Sequence, residues 1–121
     1  MTKAKSYPTV QGQSLYSRVV YYEVKISAEN QQQADVIMNS LLEKKLATGG
    51  QFVTAPARFL WKGEVTDMDY VTINAYTTEA QKHALIEDVR TTSVEEVPMI
   101  TFVTPDHLNE ELRDWINKTL G

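Results

Sequence analysis

The side chains able to do chemistry here are few in kind. Glu64, Asp67 and Asp69 bring three carboxylates into one short stretch, and Glu95-Glu96 form a second acidic pair. Hard cations such as calcium or magnesium want several oxygen ligands, which alternating loop residues can deliver. This stretch lacks the length and the glycine of a recognised calcium loop, so solvated turn carboxylates are the expected state. Acid–base catalysis by Glu95 and Glu96 would require a pocket that separates their pKa values. His83 and His107 are the only histidines, and they lack the three- or four-residue spacing of a two-histidine helical metal site. No cysteine is present, which removes disulfides, zinc–thiolate centres and thiol nucleophiles. There is no nucleophile elbow, and Gly49-Gly50 follow a periodic apolar segment where a phosphate cradle would precede one. These residues assign no catalytic, cofactor-binding or metal-ligating position; the only allowance is weak binding of a divalent cation. The chain is expected not to be an enzyme.

Composition narrows the partners. Twelve basic against sixteen acidic residues give a net charge of -4, and Lys44-Lys45 is the only adjacent basic pair. A nucleic-acid surface needs clustered Lys and Arg, so none is expected. No apolar run approaches the roughly 20 residues of a membrane span. With 121 residues, 42% of them hydrophobic, the chain is long enough for one cored domain. Residues 1–14 read as a flexible polar leader carrying Pro8 and Gly12, and 15–121 as the domain. The lack of cysteine and of a signal-like apolar core suits a cytoplasmic location.

The elements that must position these groups follow from periodicity. Tyr22, Val24 and Ile26 alternate with Glu23 and Lys25, a half-covered strand. Ser27 or Asn30 can cap the helix that follows. Its apolar stripe runs through Ala34, Ile37, Met38, Leu41, Leu42 and Leu46, and Gly49-Gly50 would end it. A second strand runs from Gln51 to Trp61 and should be bent, bulged or at an edge at Pro56. Lys62-Gly63 turns the chain, Asp67-Met68-Asp69 reads as a second irregularity, and Tyr70–Thr77 is a third strand. Thr78 to Gln81 has capping-box spacing and opens a second helix to about Thr91. Met99–Val103 is a fourth strand, and Leu108, Leu112, Trp115 and Ile116 mark a terminal helix.

The order β-α-β-β-α-β plus a helix predicts an α+β, ferredoxin-like sheet with its crossover helices on one face. The other face would carry Tyr21, Phe59, Tyr70 and Tyr76, more ring area than a solvated face normally bears. Burial against copies of the same chain is the expected remedy.

In this order and spacing the sequence resembles the CutA divalent-cation tolerance family. The resemblance rests on Glu43-Lys44-Lys45-Leu46-Ala47 closing the first helix, Pro56 in the second strand, and Phe59-Leu60-Trp61-Lys62-Gly63-Glu64 at the turn. Thr77-Thr78, Val97-Pro98 and Trp115-Ile116 extend it over about residues 18 to 120. It implies a homotrimer involved in divalent-cation tolerance, whose inter-subunit cleft or interface takes Trp61, Gly63, Glu64, Tyr76, Glu96 and Pro98. The family's cysteine after Leu46-Ala47 is absent, and its His-Pro-Tyr loop is replaced at Ser93, Val94 and Glu95. A copper-like site built on Cys and His therefore does not carry over. The alternative is a trimeric sensor resembling PII proteins, with Arg58, Lys62 and Arg90 as the cations for a small anionic ligand in the clefts.

Overall fold

The computed structural model describes residues 9–10, 13–14 and 19–121. Two short strands, β1 (Thr9–Val10) and β2 (Gln13–Ser14), pair antiparallel. The remainder of the expected leader, and the expected start of the domain over Leu15–Arg18, lie outside the described residues. Then come β3 (Tyr21–Ala28), α1 (Gln31–Glu43), β4 (Gly50–Trp61), β5 (Glu64–Thr78), α2 (Glu79–Thr92), β6 (Ile100–Val103) and α3 (Glu110–Leu120). The main sheet has the order β4-β5-β3-β6, antiparallel throughout. That is the ferredoxin-like arrangement the sequence predicts.

Alternation on the two central strands decides which side is core. Val24 lies opposite Ala75, Ile26 opposite Ile73 and Ala28 opposite Val71, and all six are buried. Ala34, Ile37, Met38 and Leu41 of α1 and Leu85 and Val89 of α2 close the same core. Asn30 caps α1 by accepting from the Gln33 N–H at 2.9 Å, as side-chain capping requires. Ser27 is still in β3 and spends its hydroxyl elsewhere. Thr78 stands at the cap position of α2 without a side-chain bond to the backbone. It bonds to the Gln81 side chain instead, so the expected reciprocal box does not form.

Helix α1 ends sooner than its apolar stripe implies. It stops at Glu43, and Lys45, not a glycine, takes the left-handed turn at φ 55°. Leu46 continues the stripe because it packs on the same core after that turn. The ladder between β4 and β5 runs in one register from Gly50 opposite Ala75 to Trp61 opposite Glu64. No bulge interrupts it: Asp67 and Asp69 pair regularly with Arg58 and Pro56, and Pro56 is tolerated because β4 is an edge strand. Lys62 and Gly63 both have positive φ, 51° and 83°, the backbone of a two-residue type I′ turn whose twist suits a hairpin.

Strand β3 reaches β5 only as far as Val71. From there Glu64–Tyr70 pairs with Ala55–Trp61 alone, forming a two-stranded arm beyond the third strand. The arm carries large apolar side chains on both faces, with Leu60 73% and Val65 66% exposed. Tyr21, Phe59, Tyr70 and Tyr76 share the sheet face away from α1 and α2, as their strand positions require. That face is less bare than expected. The Tyr21 hydroxyl donates to Asn117 Oδ1 at 3.0 Å, bringing α3 across it, with Ile116 and Leu120 buried.

Candidate functional site

The root of the arm is held by a polar knot. Ser27, at the end of β3, donates to the two Glu95 carboxylate oxygens at 3.2 and 3.1 Å and accepts from the Met99 N–H at 2.9 Å. The Tyr70 hydroxyl donates to Glu95 Oε1 at 2.5 Å, and the Tyr70 ring meets Phe59 edge-on at 5.9 Å. The Glu95 N–H donates to Ser93 Oγ at 3.1 Å. Glu95 thus finds its partners in its own chain. The knot joins β3, the arm and the 93–99 loop.

Burial, then the bond and charge of Glu95, push the Tyr70 phenol well above its ordinary value of 10.0. The native state therefore holds this proton more tightly than the unfolded chain. Below pH 10 both states are protonated and nothing is lost; above it the unfolded state sheds the proton first, so stability falls with rising pH. Tyr70→Phe is expected to flatten that alkaline decline, as read from urea midpoints between pH 8 and 11. An unchanged slope would refute the assignment.

Farther out, the Lys62 Nζ lies 3.3 Å from Glu96 Oε1 and 5.3 Å from the Trp61 ring centroid. That exposed pair and cation–π contact, each a weak interaction, lean the tip toward the loop after α2. There a cavity of about 350 Å³ is lined by Arg90, Glu96 and Pro98 together with Ile86, Val97 and Ile100. Of the sequence-predicted residues, Trp61, Gly63, Glu64, Glu96 and Pro98 gather around the tip and this loop. Tyr76 does not: it pairs with Glu23 far along β5, where its carbonyl accepts from the Thr48 N–H at 2.9 Å. Within one chain the six residues are two groups.

The carboxylates of the arm are split by strand alternation, Glu64 on one face and Asp67 with Asp69 on the other. Asp67 is held by Arg58 at 2.6 Å. His83 on α2 and His107 in the segment between β6 and α3 are both exposed. Among the described residues no three His, Asp or Glu side chains of the one chain gather as metal ligands. The three candidate cations for an anionic ligand each face a carboxylate: Arg58 with Asp67, Lys62 with Glu96, and Arg90 with Glu87 at 3.9 Å. Sequence reasoning missed the Ser27–Tyr70–Glu95 knot, whose members are far apart in the chain and carry no local signal.

A second cavity, of about 410 Å³, lies at the opposite end of the sheet between Tyr21, the turn after β6 and α3. No helix among the described residues is long and apolar enough to cross a membrane.

Comparison with known proteins agrees with this architecture. The family described as CutA1 divalent ion tolerance protein matches residues 22–119. No curated protein matches. Among solved structures, the divalent cation tolerance protein (Cut A1) from Thermus thermophilus is 25% identical with a TM-score of 0.78, covering 84% of this chain and 99% of that one. The periplasmic divalent cation tolerance protein CutA from Archaeoglobus fulgidus is 23% identical with a TM-score of 0.80, over 84% and 99%. CutA1 from Oryza sativa is 20% identical with a TM-score of 0.78, over 84% and 94%. The structural likeness extends over most of each chain, and the family match spans β3 to α3. The chain belongs to the CutA1 divalent ion tolerance family.

Proposed function

We propose that this chain acts as a cytoplasmic, non-enzymatic homotrimer in the response to divalent cations, without a soft-metal centre of its own. The observation that carries the assembly is the arm. A two-stranded ribbon is marginal in water, and this one exposes apolar side chains on both faces and the open edge of β4. Pairing with further copies satisfies that edge and covers those side chains. In such an assembly Trp61, Gly63, Glu64, Glu96 and Pro98 of one copy would form clefts with Tyr76 of another. These clefts are the place for any small ligand.

Sedimentation equilibrium at micromolar concentration is expected to give three times the 13.7 kDa chain mass. A monomer would overturn the reading. A PII-like sensor for a small anion is the weaker alternative, because each candidate cation already faces a carboxylate. Nucleotides raising the melting temperature, as ligands of the native state must, would reverse that order.

A further inference from the structure

The cavity beside α3 joins apolar walls to a guanidinium that forms no ion pair among the described residues. Val19, Val20, Pro105 and Leu108 line it, and Arg113 supplies the guanidinium. Arg113 Nε is buried with no hydrogen-bond partner. Among the described residues no carboxylate comes within ion-pair distance of it. Asp106, exposed at the cavity, is not one of its partners. An orphaned buried donor is costly, so an acceptor at this place is expected in the working state.

The tip of the arm is the complementary surface. Trp61 and Glu64 face each other on the last rung of the β4–β5 ladder and share one face. Both are exposed, and Glu64 makes no ion pair among the described residues. Lys62 beside them is engaged with Glu96. The pair offers an indole for the apolar walls and a carboxylate for the guanidinium, a bidentate match.

A chain cannot make this contact with itself. The tip begins β5 at Glu64, whereas the cavity adjoins Tyr21, which pairs with Thr78 at the strand's other end. The 15 residues of β5 span about 45 Å at 3.3 Å per residue. We propose that the arm tip of one copy, through Trp61 and Glu64, docks into the Arg113 cavity of a neighbouring copy. This rests on the trimer reading above and names the contact that joins the subunits.

The test uses the full chain with Glu64→Arg, Arg113→Glu and the double exchange, followed by sedimentation velocity across a concentration series. Each single reversal is expected to raise the concentration needed for assembly at least tenfold, and the double exchange to recover most of that loss. Circular dichroism checks folding; if a reversal does not fold, Glu64→Gln and Arg113→Gln replace it and should weaken assembly in the same direction. Singles that assemble like the parent chain, or a double no better than the singles, would overturn the docking and leave Arg113 to a small anion or to solvent. A parent chain that is itself monomeric overturns the trimer reading as well, which keeps the two failures distinct.

Discussion

Gly50→Ala is expected to abolish the stable fold. Gly50 opens β4 opposite Ala75, and a β-carbon there would stand 1.8 Å from the Asn74 carbonyl oxygen and 2.8 Å from its carbon. Both are backbone atoms of the strand that joins β4 to β3. No rotamer change relieves the clash; β4 must move off the ladder at its first rung. Overpacking a well-filled site costs about 1–3 kcal/mol. Here the obstacle is main chain, so about 4 kcal/mol or more is expected, a large share of the roughly 5–15 kcal/mol that holds a domain together. Gly63→Ala is the control. Its added carbon meets nothing within 4 Å, and only the positive φ of 83° penalises it, at about 1–2 kcal/mol. Urea unfolding of both variants gives the comparison; a Gly50→Ala midpoint at or above that of Gly63→Ala would refute the close-approach account.

The same glycine shows where sequence reading succeeds and where it stops. Gly49-Gly50 after an apolar stripe reads as a helix stop, yet α1 ends earlier, and the left-handed residue there is Lys45. Periodicity could not reveal this, since Leu46 stays on the core side once the helix has ended. Gly50 is required by a strand lying beside it, a tertiary approach with no local pattern. By contrast β3, β5 and α2 were legible, because each buries one face and alternates or repeats accordingly. The arm was half legible. Its turn at Lys62-Gly63 stands out, but that β5 runs unbroken from Glu64 was hidden by Asp67 and Asp69, polar on a ribbon that has no core.

The site divides in the same way. Trp61, Gly63 and Glu64 were singled out by their place in a turn, and Glu96 and Pro98 by the loop that Lys62 of that turn meets. Ser27 and Glu95 were not, because a hydrogen bond between residues 68 apart in sequence has no spacing rule. Tyr70 was assigned to the right face for its ring area, while its hydroxyl gave no hint of Glu95. Arg113 was passed over altogether: on an amphipathic terminal helix an arginine normally marks the solvent side, and only the lack of a partner for its buried Nε sets it apart.

The second large effect concerns Lys44 and Asp88, which tie the end of α1 to α2. The Lys44 Nζ lies 2.5 Å from Asp88 Oδ1, with the Lys44 side chain 57% exposed and that of Asp88 only 6%. The second oxygen, Oδ2, is buried without a hydrogen-bond partner. The two residues are therefore unequal. Removing Asp88 leaves an ammonium that can turn to water, whereas removing Lys44 leaves a buried carboxylate with nothing to answer its charge. Lys44→Met is expected to destabilise by about 2–3 kcal/mol, somewhat below the full cost of breaking a buried pair because the lysine is half in solvent. Asp88→Leu should cost less than about 1 kcal/mol or even stabilise, since an apolar side chain of similar size needs no partner between two helices. In the double variant the Lys44→Met penalty should nearly vanish, a coupling of the kind a mutant cycle isolates. Equal losses from the two single variants, measured by urea unfolding at neutral pH, would show that the carboxylate is solvated after all and that the lysine contributes only a surface charge.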